Sequence, residues 1–535
     1  MSDAAGPAGR PRGSGWDGRV RLAELVATLS VATDMGKGLP VEQAQRACLV
    51  AMRLADLAGL SDADRHTTYY CSLLRFVGCT ATAHEFAAVF GDDIEGSAWF
   101  SMADPDDVQA VLRIIFRNVG RGQPALARAR AVGRVLAKGK AMRREHEQAS
   151  CEVARLLADR LGLGTDVQDA LGQVFERWDG KGGVPGRDSG QAIAVPVRVG
   201  YVAHYGELFH RVDGTEAARA VARERAGTMF DPEVAALFLG HVDDLFAGID
   251  DAGAFDAVLA AEPVPWRWLA GDRVDRALRA MGDFADMKSP FTVGHSDGVA
   301  RLAADAGRVA GLGDDAVVGL RRAGWVHDLG RCAVSTGIWD KPGPLSGAEW
   351  ERVRLHSYYT DRILSRCPPL GEVGVLAATH HERVDGSGYH KGLTGRSLPA
   401  GAGILAAADV HHALREHRAH RGPLTAEDAA DVLCDEAMDG RLEPHAVDAV
   451  LQAAGAPGDS RRAAGASPPA GLSEREVEVL VLLASGMTNS QVAAALFISP
   501  KTVGAHAKHI YRKIGVSTRA AATAFALGHD LVRIG

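Results

Sequence analysis

Aromatic side chains are scarce in this chain, only 6% of its 535 residues. An interior short of large rings must be filled by alanine, glycine and aliphatic residues, which favours closely packed helices. The seven cysteines include no Cys-x-x-Cys pair, and an odd, unpatterned count argues against a disulfide framework. No apolar run is long enough to cross a bilayer, which excludes a helical span. The opening MSDAAGPAGRPRGSG carries arginines but no apolar core after them, so it is not a secretory signal. It reads as a flexible tail, residues 1–20. Together these absences point to the cytoplasm and away from membranes.

What is present describes a soluble globular protein, 47% hydrophobic and 24% charged, long enough for three or four domains. Strand signals are sparse. Apolar residues mostly recur at three- and four-residue spacing, as in VRLAELVATL, so the fold class reads as all-α. The net charge of −7 hides an asymmetry. From Gly471 onward seven Lys and Arg stand against four Asp and Glu, while the remainder is acidic. A basic tail on an acidic body suggests that only the tail meets nucleic acid. The clearest linker is AAGAPGDSRRAAGASPPA, residues 453–470, which lacks helical periodicity and ends in Pro-Pro. A weaker boundary lies at EPVPW, Glu262–Trp266.

The chain also repeats itself. AGLSDAD at Ala58–Asp64 resembles AGLGDDA at Ala310–Ala316, an offset of 252. Carried along without gaps, that offset sets Gly78 under Gly330, Arg75 and Phe76 under His327 and Asp328, and Gln43 under His295. ERWDGKGG at Glu176–Gly183 then matches ERVDGSGY at Glu382–Tyr389, which sets Val174 and Phe175 under His380 and His381. His204 falls under Asp409. Matches in the same order read as a duplication whose first copy, residues 21–262, is degenerate.

Ten of the twenty histidines lie between His295 and His420. The strings that hold them are SPFTVGHS with His295, GWVHDLGR with His327 and Asp328, RLHSYY with His356, and HHERVDGSGYH from His380 to His390. AAADVHHAL adds Asp409. Neutral imidazole and carboxylate are ligands for divalent transition metals, and glycines let a backbone bend tightly around a metal or phosphate. Across Met281–Gly455 these strings resemble the HD-GYP subgroup of the HD superfamily of metal-dependent phosphohydrolases. The resemblance implies a domain over residues 271–452 and a site of two divalent ions. His295, His327, Asp328 and Asp409 would form the core set, with Asp328 bridging, and His356, His380 and His381 would complete the second ion. Iron or manganese suits such ligands, with nickel, cobalt and zinc as alternatives.

Arg331 stands where the family usually has Lys, and its planar fork could grip a phosphate, giving Asp328 and Arg331 the catalytic roles. Asp385, Gly386, Gly388 and Tyr389 form the turn expected to meet substrate, although Asp385 could equally be a turn residue bonding its own backbone. Two departures stand out. The family's Gly-Tyr-Pro ends here in His390, and Phe291 occupies the place where some members carry a third-metal Glu. The resemblance implies phosphodiester hydrolysis, with cyclic di-GMP or a related nucleotide as substrate.

The tail, residues 471–535, resembles the LuxR-type helix-turn-helix from Leu472 to Gly528. Ser473 and Glu476 form a capping box ahead of a helix that Gly486 ends, and a short helix runs from Asn489 to Leu496. Ser499 and Pro500 then open a recognition helix, Pro500–Ile514. Val503, Ile510 and Ile514 would pack inward. Lys501, Thr502, His506, Lys508, His509, Arg512 and Lys513 are the candidates for contact with double-stranded DNA. Two-fold half-sites make a homodimer an expectation. The leading reading is a phosphodiesterase fused to a transcription regulator. The alternatives are a nucleotide sensor with little turnover, or hydrolysis of another phosphate ester.

Overall fold

The computed structural model describes residues 18–121, 124–183, 188–250, 253–455 and 468–532. Most of the expected tail and of the expected linker (residues 1–17 and 456–467) lies outside the described residues. Where those two segments are described, they are ordered. Arg19–Arg21 is a strand rather than tail, and the helix Pro444–Gly455 runs into the segment expected to be linker.

The regular secondary structure of the described residues is almost all helix, and the helices come in two matching series. Leu22–Gly36, Gln43–Leu57 and Asp62–Leu74 lead to a 3₁₀ turn at Val77–Thr82. Asp272–Asp286, His295–Val309 and Asp314–Val326 lead to one at Leu329–Ala333. The second and third helices of each series begin at positions related by the sequence offset. Local chemistry repeats with them. Asp34 Oδ2 accepts from the Ala44 amide at 3.1 Å, and Asp286 Oδ2 from the Ser296 amide at 2.9 Å. In both halves a carboxyl group on the first helix thereby satisfies a free N–H at the start of the second. The residue before that helix is left-handed in both, Glu42 at φ 71° and Gly294 at φ 87°.

Each 3₁₀ turn is pressed against a long helix. A Cβ on Gly78 would lie 1.9 Å from the Ser150 carbonyl of Ala125–Arg160, and one on Gly330 would lie 2.0 Å from the His356 carbonyl of Gly347–Leu364. Only glycine allows this approach. The pairing also makes Ser150 the counterpart of His356, a relation the sequence comparison did not reach.

The halves share one core. Arg19–Arg21 pairs antiparallel with Trp268–Ala270, joining the start of one half to the start of the other. The helix expected from the three- and four-residue spacing in LAELVATL forms, and every residue from Leu22 to Asp34 is buried because this helix lies between the two halves. Lys288, also buried, reaches across to Asp93 at 2.7 Å and to the Cys332 carbonyl at 2.9 Å.

The tail forms four helices, Glu474–Ala484, Asn489–Leu496, Pro500–Ile514 and Arg519–Gly528, around its own core. That core also takes in Val153, Met287 and Val293 from the body. Glu152 on the long helix accepts from the amides of Ser517 and Thr518 at 3.1 and 3.2 Å and from both hydroxyls. Arg160–Asp283 and Arg279–Asp530 add ion pairs nearby. Among the described residues no helix is long and apolar enough to cross a membrane.

The glycine contact gives a direct check. Gly330→Ala should lower stability by roughly 2–4 kcal/mol, because backbone must move to admit the methyl group. Gly319→Ala, in a helix with nothing within 4 Å of the new Cβ, should be neutral or raise stability by up to about 1 kcal/mol. Thermal melts of the two variants separate these outcomes.

Candidate metal centre and DNA-reading surface

The structure brings all seven expected ligands to one place, and most hang from helix ends. His295 opens its helix, His327 and Asp328 follow Val326, and His380 and His381 follow Gly371–Ala378. His356 and Asp409 project from within helices. The imidazoles are turned by their own backbone. Nδ1 of His327 donates to the Gly324 carbonyl at 2.7 Å, Nδ1 of His380 to that of Ala377 at 2.7 Å, and Nδ1 of His356 to that of Val353. A carbonyl only accepts, so each of these bonds keeps the proton on Nδ1 and leaves Nε2 as an inward lone pair.

Asp328 divides its oxygens between two pairs of rings. Its Oδ2 lies 3.7 and 3.5 Å from Nε2 of His295 and His327, and its Oδ1 lies 3.5 and 3.7 Å from Nε2 of His356 and His380. Asp409 Oδ1 is 3.2 Å from His295 Nε2 and 3.8 Å from His327 Nε2, while its Oδ2 is 3.9 Å from His381 Nδ1. The Nε2 atoms of His356 and His380 approach to 3.0 Å, and buried His327 Nε2 has no hydrogen-bond partner. Converging lone pairs with no proton to share fit a cation between them.

The electrostatics agree. Burial, reinforced by His327 and His356, pushes His380 down to about 3, and burial also lowers His356 and His381. Burial opposes ionisation of Asp328 and Asp409, but the surrounding histidines outweigh it and hold both carboxyls well below the usual range. His356, His380 and His381 are thereby kept neutral and both carboxylates ionised, the protonation states that bind metal. His295 goes the other way: burial would lower it, but Glu416 and Asp409 outweigh burial and push it up to about 10.

Sequence reasoning missed the group behind His295. Glu416 is buried and takes His295 Nδ1 at 3.1 Å, His412 Nδ1 at 3.0 Å and the guanidinium of Arg418. Burial would raise this carboxyl, yet His295 and Arg418 hold it well below its ordinary value. The only signal was the spacing of His412 and Glu416, four residues apart on a helix end.

Arg331 lies at the edge of the centre, with Nη1 3.1 Å from Asp328 Oδ2 and the guanidinium 3.8 Å above the Trp339 ring. Part of its fork is thus held by Asp328. In the glycine turn, Asp385 Oδ1 accepts from the Ser387 amide at 2.9 Å and its hydroxyl at 2.7 Å, the arrangement of a turn residue. Gly386 is left-handed at φ 82°, and a Cβ on Gly388 would lie 2.4 Å from the Arg383 amide. The Tyr389 ring lies 4.8 Å from that of His381. The Tyr389–His390 peptide is cis, and His390 Nε2 is 3.6 Å from Asp361 Oδ2, a contact that proline could not make. Phe291 stacks on His417 at 5.7 Å and supplies no ligand atom.

In the tail, both expected caps form. Ser473 and Glu476 make the capping box, and Ser499 accepts from the Thr502 amide at 3.1 Å. Val503 and Ile510 are buried, and Ile514 is half-buried. Lys501, Thr502, Lys508, His509 and Arg512 form an exposed row, with His506 half-buried beside it. Lys513 is exposed as well, but its ammonium is bonded to Glu476 at 2.6 Å and to the Gly471 carbonyl at 3.0 Å.

Residues 279–445 match the HD domain family, and residues 470–526 match the bacterial regulatory proteins of the luxR family. The chain joins an HD domain to a luxR-type regulatory domain. It is similar to 3′3′-cGAMP-specific phosphodiesterase 3 of Vibrio cholerae, 28% identical over 436 residues, 81% of this chain and 94% of that protein. That similarity extends well beyond the HD domain. A cyclic di-GMP phosphodiesterase of Thermotoga maritima is 33% identical over 33% of this chain and 47% of its own length. Among solved structures, a cyclic GMP-AMP specific phosphodiesterase from V. cholerae superposes with a TM-score of 0.56 at 26% identity, over 82% of this chain and 98% of the other.

Glu416 supports the HD domain even without metal. Glu416→Ala should destabilise the metal-free protein by roughly 3–5 kcal/mol, because Arg418 loses its buried counter-charge and His295 the acceptor at its Nδ1. A denaturant titration showing less than about 1 kcal/mol would remove Glu416 from this role.

Proposed function

We propose that the chain is a metal-dependent phosphodiesterase of cyclic dinucleotides whose tail reads double-stranded DNA. The observation that carries the first part is the division of Asp328, one oxygen toward His295 and His327 and the other toward His356 and His380. On this reading His295, His327, Asp328 and Asp409 hold one divalent ion, and Asp328, His356, His380 and His381 hold the other. Iron or manganese suits the mixed nitrogen and oxygen set. When bound, a pair of divalent ions lowers the pKa of water and neutralises charge developing on a phosphoryl group.

The chain's own residues do the rest. Glu416 fixes the ring of His295 by accepting a hydrogen bond from its Nδ1, as outer partners of metal-bound histidines do. Arg331, stacked on Trp339, presents the unshared side of its fork to a phosphate oxygen. Tyr389 and the backbone of Gly386 and Gly388 line the approach to the centre. Water adds across one phosphodiester bond and yields the linear dinucleotide. The similarity to a cGAMP-specific enzyme over most of this chain supports 3′3′-cGAMP as a substrate alongside cyclic di-GMP.

The domain limits that fit this reading are 271–452 for the phosphodiesterase and 471–535 for the DNA reader. Helix Pro500–Ile514 would lie in the major groove, with Thr502 and His506 toward base edges and Lys501, Lys508, His509 and Arg512 toward phosphates. Lys513 would help only by leaving Glu476.

Three measurements test these assignments. Elemental analysis of the full chain should find about two divalent ions rather than four, and Asp328→Ala should lose most of them; full metal content in that variant would refute the bridge. Manganese- or iron-loaded protein should open cyclic dinucleotides, and His381→Ala should abolish turnover while the fold survives. Tight binding of both nucleotides without turnover would favour a sensor instead. In a random-site selection at low salt the full chain should enrich particular sequences. Arg512→Ala should weaken binding evenly, and a change at Thr502 should shift the preferred site. No enrichment would falsify the DNA reading.

A further inference from the structure

The metal centre of the second half has a counterpart in the first, built from different chemistry. Gln43, Arg75, Phe76 and His204 stand where His295, His327, Asp328 and Asp409 stand, and Ser150 takes the place of His356. Four of these five, all but Ser150, line one cavity, together with Asp34, Ser72 and others. Its volume is about 10 Å³, enough for one water-sized occupant.

The polar lining of this cavity is unsatisfied. Both amide atoms of Gln43, Ser72 Oγ, Arg75 Nε and Asp34 Oδ1 are buried without a hydrogen-bond partner. Arg75, 6% exposed, has no carboxylate within ion-pair distance among the described residues. Its guanidinium lies 4.4 Å from the Tyr201 ring centre and 5.4 Å from that of Phe76. Cations act on the His204 side of the cavity, and Glu207 and Arg211 both act on the Asp34 side. Burial and then three cations, Arg75, Lys37 and Arg225, hold His204 well below its ordinary pKa, so the ring adds no charge of its own. Asp34 is raised well above its ordinary value, first by burial and also by Glu207, against the amide of Ala44 and Arg211. Glu147, which acts on Tyr201, is itself pushed up to about 7 by burial and faces Arg143 at 3.8 Å.

A buried guanidinium without a counter-charge is costly, and buried donors without acceptors add to that cost. In the second half the same positions carry two carboxylates that call for cations. Here they carry none, and the sign of the site is reversed. We infer that the first half binds a small inorganic anion of halide size in this cavity, held by Arg75 with Gln43 Nε2 and Ser72 Oγ. An intact nucleotide is far larger than the space. The anion takes over the task that metal performs in the other half, neutralising a buried charge that the protein leaves open.

The test uses the full chain and bromide, which scatters anomalously. Crystals grown in bromide should show an anomalous peak within about 3.5 Å of the Arg75 guanidinium. In solution, sodium bromide or chloride should raise the melting temperature by roughly 2 °C or more over sodium gluconate at the same ionic strength. Arg75→Met should remove both the peak and the halide increment. Should that variant fail to fold, Ser72→Ala and Gln43→Leu should each reduce the increment. A cavity holding water alone, or a halide increment unchanged in these variants, would overturn the proposal.

Discussion

One carboxylate organises the catalytic half. Asp328 faces four imidazoles with two oxygens, and each neighbouring element is arranged to bring a ring to one side of it or the other. The tight passage of Gly330 beneath the His356 carbonyl sets the turn that carries Asp328 against the helix that carries His356. Carbonyls three residues back hold the Nδ1 protons of His327, His356 and His380, so the lone pairs converge without further support. The backbone thereby settles the orientation of these three rings within the folded chain itself.

The first half shows what becomes of such a framework when the ligands change. Its helices keep their starts, its Asp34 still bonds the next helix, and Gly78 still lies under a long helix. What has changed is the polarity of the centre, from carboxylates to an arginine. The phenyl rings of Phe76 and Phe175, 6.2 Å apart, take up room that second-half ligands would have used. Retaining the fold while reversing the charge preserves a large packed partner for the catalytic half, with Leu22–Asp34 buried between the two.

Much of this was legible in the sequence because ligands and caps are short strings with fixed chemistry. His-Asp in HDLGR, the paired histidines before ERVDG, and Ser473 with Glu476 all announce themselves locally. Glu416 did not, since one glutamate in an arginine- and histidine-rich stretch looks like a solvated charge until the fold places His295 against it. The joint core was hidden for a similar reason. Alanine and threonine between the leucines of LAELVATLSVATD disguise a helix buried all round as one with a single apolar face. Arg75 could be read as the loss of a ligand, but not as a charge left without a partner. The extra contact of His390 with Asp361 likewise depends on a loop path that residue types alone do not specify.

The attachment of the tail bears on how two chains could share one operator. Glu152 grips the start of the Arg519–Gly528 helix, and body residues fill part of the tail's core, so the reading helix points where the body directs it. Successive major-groove faces recur about every 34 Å along a duplex. While the grip holds, two reading heads can match that interval only if the bodies behind them stand at the matching separation and angle. In such a pair the spacing of a DNA site would become a property of the enzymatic part, with the phosphodiesterase half as the ruler.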